Sequence, residues 1–382
     1  MEPCATPGLP HQKPESNASM AALEHDLEAK VLAALARADA AEAAGAAAVS
    51  RAAQLETRLA AATHAGQRLL RLRFRRAPPT ALSVNRTAPV RWEIDVTDDQ
   101  GSTAEMVEGL DVTCRIEGAP HDVTTTRSGD RWVCAAPVEA FTDRCSIVAE
   151  PFIKGKRCGP LDVLSVAAEV RVVAGSGDDA PKFEAIRDLR FGDVSLRIVE
   201  EFGDACGSHL WNAGLVLAAY LATLDEAMLP ALGDRGVFLE VGAGVGATSL
   251  ALAARGLSGD ATDHGRVLPL LERNIARNGF EDTVRVVPRD VARDAIPQWN
   301  AAVGLPRVLI MADVLYAEEA AQALPELVTA LPDLREIWLA HTNRGAGDRL
   351  DATVEALASM FPVVEVVERV RDTRVVVLRK HP

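Results

Sequence analysis

A carboxylate and three glycines at alternate positions follow a short apolar run in Val237-Phe238-Leu239-Glu240-Val241-Gly242-Ala243-Gly244-Val245-Gly246. A strand feeding such a loop and then a helix makes the turn on which nucleotide-like ligands lie, with glycines where backbone and ligand come close. A dinucleotide site would carry Gly-x-Gly-x-x-Gly and aim a helix N-terminus at a pyrophosphate. The spacing here is Glu-x-Gly-x-Gly-x-Gly, which suits a ligand without phosphate; a structural turn is the competing reading. Asp263 closes the next predicted strand, placed to accept both hydroxyls of a ribose or to cap the helix after it. Asp290, beyond Val286-Val287, falls where the amino group of an adenine would lie, or in a surface loop. In Met311-Ala312-Asp313-Val314-Leu315-Tyr316 an apolar run is interrupted by a carboxylate, and a buried Asp is costly unless it has a partner or a task. The plainer alternative has Asp313 capping a helix near Glu318 and Tyr316 in the core.

These positions need a sheet to converge them, and the C-terminal half supplies an α/β pattern. Predicted strands lie at Gly236 to Val241, Gly259 to Asp263, and near Val284 to Val287, Arg307 to Ala312 and Glu336 to His341. Helices at Thr248 to Arg255 and Arg266 to Asn278 alternate with them, and a closing pair lies near Val363 to Val367 and Thr373 to Leu378. A parallel sheet ending in an antiparallel pair follows. A hairpin around Gly192-Asp193 precedes it.

Four segments together carry a resemblance: Gly207-Ser208-His209-Leu210-Trp211-Asn212-Ala213-Gly214, Leu239 to Gly246, Asn274-Ile275-Ala276-Arg277-Asn278, and Ala312-Asp313-Val314-Leu315-Tyr316. In this order, over roughly residues 185 to 380, they resemble the seven-strand (class I) protein-lysine methyltransferases with an Asp-x-x-Tyr signature. The resemblance implies a Rossmann-like domain that binds S-adenosylmethionine. It implies that Trp211 contacts this cofactor, that Gly242, Ala243, Gly244 and Gly246 behind Glu240 cradle its amino-acid portion, and that Asp263 holds its ribose. It also puts Ala312 beside the cofactor, Asp290 near the adenine, and Asp313 with Tyr316 at methyl transfer to a lysine amine of a protein substrate. Members commonly have Trp-Asp where this chain has Trp211-Asn212, and a Trp where Val291 follows Asp290. Alternatives are a small-molecule or histidine methyltransferase, and an inactive methyltransferase-like binding scaffold.

The resemblance leaves residues 1 to 175 unexplained. Residues 1–18 are Pro- and Ser-rich and read as disordered. Residues 19–77 are dense in Ala, Leu, Glu and Arg and read as a helix. Leu55, Leu59, Ala62, Gly66 and Leu69 have the spacing of a coiled-coil seam. Self-association or a partner helix through residues 20–76 stands beside a simple solvated helix. Its basic end, Arg71, Arg73, Arg75 and Arg76, reads as a solvated turn or a contact for an acidic surface. From residue 80 to 174 short alternating runs, such as Val90, Trp92, Ile94 and Val96, predict a small β sandwich, with an immunoglobulin-like shape as one form of it, and residues 175–181 read as a linker to a domain at 182–382.

Lys and Arg number 41 against 54 Asp and Glu, a net charge of −13, which disfavours a phosphate-dominated grip on nucleic acid. No run has membrane-spanning length. The six cysteines form no close zinc-binding pairs, so no metal is expected; reduced thiols of a cytoplasmic or nuclear protein are the expectation, with a disulfide among Cys114, Cys134, Cys145 and Cys158 left open.

Overall fold

A computed structural model describes residues 69–380 except 84–85, 105–106, 120–121, 143, 174–183, 202–205, 227–237, 290–305, 317 and 345–348. The expected disordered start, the helix up to residue 68, the linker at 175–181 and Asp290 lie outside the described residues.

The C-terminal half is built on strands β1 (Phe238–Val241), β2 (Gly259–Asp263), β3 (Val284–Pro288), β4 (Val308–Ala312), β5 (Glu336–Thr342), β6 (Val363–Val370) and β7 (Thr373–Arg379). They form one sheet in the order β3-β2-β1-β4-β5-β7-β6. β1 to β5 are parallel, and β7 runs antiparallel to both β5 and β6. Helices α1 (Asn212–Ala222), α2 (Ala247–Ala254), α3 (Leu268–Arg277), α4 (Glu318–Thr329) and α5 (Arg349–Leu357) complete the unit. β4 shows why its apolar run carries no alternation: Val308 and Ile310 enter one core with α1, α2 and α3, while Leu309 and Met311 enter another with α4 and α5. The chain steps outward from β1 to β2 and β3 and then crosses back to place β4 on the other side of β1, and the crevice at such a switch point is where ligands bind.

Ahead of this sheet, two more enclose a second core. One joins Thr124–Ser128, Arg131–Ala136, Val90–Thr97, Leu70–Arg76 and Val163–Leu164. The other joins Leu110–Ile116, Arg144–Ile153, Val166–Val173 and the hairpin Glu184–Phe191 with Val194–Glu201. Leu72, Phe74, Trp92, Ile94 and Trp132 of the first meet Val112, Ile116, Ile147 and Val170 of the second.

Two expectations need correction here. The helix expected to run to residue 77 is a strand at Leu70–Arg76, paired antiparallel with Val90–Thr97. Leu70, Leu72 and Phe74 alternate with arginines, and their burial in the β core overrides the helix propensity of Leu and Arg. Arg71, expected on a solvated turn, is buried. The second change concerns the hairpin, which the sequence assigns to the catalytic half. It continues the β module's sheet, with Ala167 opposite Ile186, while Ile186, Leu189, Ile198 and Val199 pack into the helices of the C-terminal core.

One buried polar cluster joins these parts. Arg187 donates through Nε to Glu200 and through Nη1 to the carbonyls of Leu72 (2.7 Å) and Ser165 (2.8 Å). Arg71 donates to the carbonyl of Leu210 (2.7 Å) and to Asn212 Oδ1 (2.9 Å), and lies 3.6 Å from Glu200. The Leu210 amide donates to Glu200 Oε1 (2.8 Å). Burial opposes ionisation of Glu200, and the two guanidiniums outweigh it and hold the carboxyl below its usual range. Asn274 and Asn278, four apart on one face of α3, dock the hairpin as an added strand would. Asn274 accepts from the Val199 amide (2.8 Å) and donates to its carbonyl (3.0 Å), and Asn278 does the same at Arg197.

Removing Glu200 would leave two guanidiniums without their shared carboxylate. Glu200→Ala is expected to cost about 3 to 5 kcal/mol of unfolding free energy in a denaturant titration. Glu365→Ala, which removes the exposed partner of Arg379, should cost at most about 1 kcal/mol.

Candidate active site

The carboxyl ends of β1 to β5 open on one cavity of about 290 Å³, near the lower bound of the roughly 300 to 1,000 Å³ usual for small-molecule sites. Trp211, Glu240, Gly242, Ala243, Gly244, Asp263, Ala312, Asp313 and Tyr316 all line it. Gly246 does not: with φ at +85° it is the N-cap of α2, and a Cβ there would meet Leu271 Cδ1 at 2.6 Å, so it serves the turn and the packing.

The loop after β1 is fixed from several directions. The Gly244 amide donates to Asp263 Oδ2 (2.8 Å), and the Ala243 amide to the carbonyl of Thr262 (2.9 Å). The His264 amide donates to Asp263 Oδ1 (2.7 Å), so the carboxylate that ends β2 is held by an amide on each oxygen. Asn274 Nδ2 reaches the Val245 carbonyl at 2.9 Å, linking the loop to the hairpin. Gly244 has φ at +55°, and a Cβ there would stand 3.0 Å from the Gly207 carbonyl oxygen, which leaves no room for a side chain between two walls of the cavity.

Glu240 is 1% exposed, and its carboxylate reaches the start of α2, where it accepts from the Ser249 amide (2.9 Å) and hydroxyl. Burial pushes its carboxyl up to about 7, against the pull of those donors.

Asp313, expected at the reaction centre, is the residue after β4. It is buried at φ +58°, a conformation few residues other than glycine adopt, and its amide donates to the Ala340 carbonyl (2.9 Å). The Thr342 amide (3.0 Å) donates to Oδ1, and His341 Nδ1 stands 3.4 Å from the same oxygen. Burial would raise the carboxyl, but His341, Arg344 and the Thr342 amide outweigh it and hold Asp313 ionised below the usual carboxylate range. Arg344 Nη2 lies 2.7 Å from Asp313 Oδ2 and 2.8 Å from Asp99 Oδ2. Its guanidinium carbon is 5.0 Å from the centre of the Trp211 ring, whose Nε1–H donates to the Cys206 carbonyl (2.8 Å). Tyr316 is 68% exposed at the rim and its backbone carbonyl accepts from Arg349. Sequence reasoning missed Arg344, Asp99 and Gln100, all in or against the cavity wall.

The model of a family described as lysine methyltransferase matches residues 190–349. Over those residues the chain is similar to that family. The matched residues include the glycine loop after β1 and the cavity-lining residues from Cys206 to Arg344. No curated protein matches the chain. Among solved structures, a 16S rRNA N2 G1207 methyltransferase of T. thermophilus, in complex with AdoMet and guanosine, is 14% identical with a TM-score of 0.39, over 68% of this chain and 58% of that one. An O-methyltransferase family 2 protein of Planctomyces limnophilus, in complex with apigenin, is 13% identical with a TM-score of 0.35, over 44% and 58%. PigF with SAH is 14% identical with a TM-score of 0.35, over 44% and 56%. The chain spans less than three fifths of the length of each.

This geometry fixes the outcome of three substitutions. Glu240 binds its proton more tightly folded than unfolded, so its contribution to stability falls as pH rises from about 4.5 through about 7. Glu240→Gln keeps an acceptor for Ser249 without the charge; relative to the parent it should gain about 3 kcal/mol between pH 5 and pH 8 in denaturant titrations. Gly244→Val should abolish binding of S-adenosylhomocysteine in isothermal calorimetry, whereas Asp263→Ala should weaken it by roughly 1 to 3 kcal/mol.

Proposed function

We propose that this chain transfers a methyl group from S-adenosylmethionine to the side-chain amine of a lysine in a protein. The observation that carries this reading is Asp313: a buried carboxylate, held ionised, in the wall of the same cavity as the glycine loop. The residues present fit the cofactor. Gly244 leaves the cavity wall free of a side chain, and Asp263 presents an anchored carboxylate at the end of β2. Gly242, Ala243 and Gly244 would hold its amino-acid portion, Asp263 its ribose, and Trp211 and Ala312 would flank it, with Asp290 assigned to the adenine from sequence. When bound it supplies an electrophilic methyl group on a sulfonium.

The chain's own residues have to present a neutral amine along the line of attack. A lysine near its ordinary pKa of about 10.4 is neutral in only about one molecule in a few thousand at pH 7. Asp313 draws the ammonium in and orients it, while apolar walls such as Leu210 and Val314 favour the neutral form. No covalent chemistry is asked of the protein; approach geometry is its main contribution. The net charge of −13 supports a basic protein surface as partner over nucleic acid.

The test is labelled-methyl transfer into a cell extract, followed by mass spectrometry of the modified residue. Label on lysine is expected; label on histidine or a small molecule, or none, would contradict the reading. Asp313→Asn keeps a residue that tolerates positive φ and should lower the transfer rate by about a hundredfold or more, with the affinity for S-adenosylhomocysteine nearly unchanged.

A further inference from the structure

The family match begins at residue 190, but the wall of the cavity does not. Gln100 of the β module lines it, and Asp99 meets Arg344 beside Asp313. The turn that carries both follows the strand Val90–Thr97 and is firmly built. Asp98 Oδ1 accepts from the amides of Gln100 (3.0 Å) and Ser102 (2.9 Å), the Gly101 amide donates to the Asp98 carbonyl (3.2 Å), and Thr97 bridges to Thr103. The Asp99 side chain is only 5% exposed.

A single nitrogen, Arg344 Nη2, is shared by the two buried carboxylates. This arrangement makes exchange inexpensive. An ammonium arriving at Asp313 need not drive Arg344 into water, since the guanidinium can keep Asp99 and give up one hydrogen bond. Two carboxylates and one guanidinium also sum to −1, so an entering cation brings the group to neutrality. Without Asp99, Arg344 would have Asp313 as its remaining anion and would compete with the acceptor for it.

We propose that Asp99, outside the family domain, is a positioning residue for methyl transfer: it holds Arg344 aside when the acceptor amine takes Asp313, so the β module and the methyltransferase domain build the acceptor site together. Gln100 then forms part of the wall against which the acceptor side chain lies. The inference rests on the reading of Asp313 as the seat of a lysine amine.

The competing role for Asp99 is a plain staple between the two parts, and the two roles give different kinetics. Full-length parent, Asp99→Asn, Asp99→Glu and the double variant Asp99→Asn with Arg344→Gln are assayed for labelled-methyl transfer to lysines of cell-extract proteins over a dilution series. S-adenosylhomocysteine affinity and melting temperature are measured on the same samples. Asp99→Asn should raise the extract concentration giving half-maximal rate by about tenfold, as one charge-assisted hydrogen bond is worth, with the maximal rate and cofactor affinity nearly unchanged. Asp99→Glu should recover most of the loss, and so should the double variant, because no guanidinium then competes for Asp313. A parental concentration dependence in Asp99→Asn would overturn the proposal. So would a loss matched by falling cofactor affinity and melting temperature, or no recovery in the double variant. If the parent labels no lysine, the lysine reading itself fails and the inference with it.

Discussion

Two arginines sharing one buried carboxylate set the geometry of this molecule. Glu200 stands between Arg187 and Arg71, and each guanidinium also donates to backbone carbonyls or an amide oxygen from another part of the chain. Charges taken out of water in this way are expensive, and it is their mutual pairing that makes them tolerable. The cluster therefore permits few arrangements of the pieces it joins. Arg71 grips Leu210 and Asn212, the residues on either side of Trp211, so a strand of the β module sets the position of an aromatic side chain in the wall of the catalytic cavity. Asn212, where family members commonly carry Asp, gives its oxygen to that arginine.

From there the constraint passes to Asp313. Trp211 stacks with Arg344, Arg344 binds Asp313, and Asp99 of the β module closes the chain of contacts. Three carboxylates near the cavity are thus given different work by their surroundings. Asp263 is anchored by two amides and Asp313 is kept ionised by a guanidinium, an amide and the nearby His341. Glu240, deprived of a cationic partner in its burial, sits near neutrality and shapes the loop.

Much of the catalytic half was legible in the sequence because its physics is local. Unbroken apolar runs such as Val308 to Met311 mark strands covered on both faces, and a glycine loop after one of them marks the switch point. Asp263 and Asp313 came with that pattern, and Trp211 with the family resemblance. Less legible was whatever depends on a distant partner. The alternation of Leu70, Leu72 and Phe74 is short and embedded in helix-forming residues, and only pairing with Val90–Thr97 makes it a strand. Arg344 and Asp99 are charged residues 245 positions apart, indistinguishable in sequence from solvated surface. Asn274 and Asn278 show a helical spacing, yet the hairpin edge they bind carries no matching signal. Tyr316 reads as core or catalytic, and its exposure at the rim follows from a one-turn helix that sequence patterns do not resolve.

A site shared between the β module and the methyltransferase domain should respond to its cofactor on both sides. Hydrogen–deuterium exchange of the full-length chain, with and without saturating S-adenosylhomocysteine, reads this directly. Slower exchange is expected in the loop after β1, in the strand Leu70–Arg76 that holds the Trp211 segment, and in the Asp98–Gly101 turn. Protection confined to residues 238–342, with the β module exchanging as it does without ligand, would contradict a shared site.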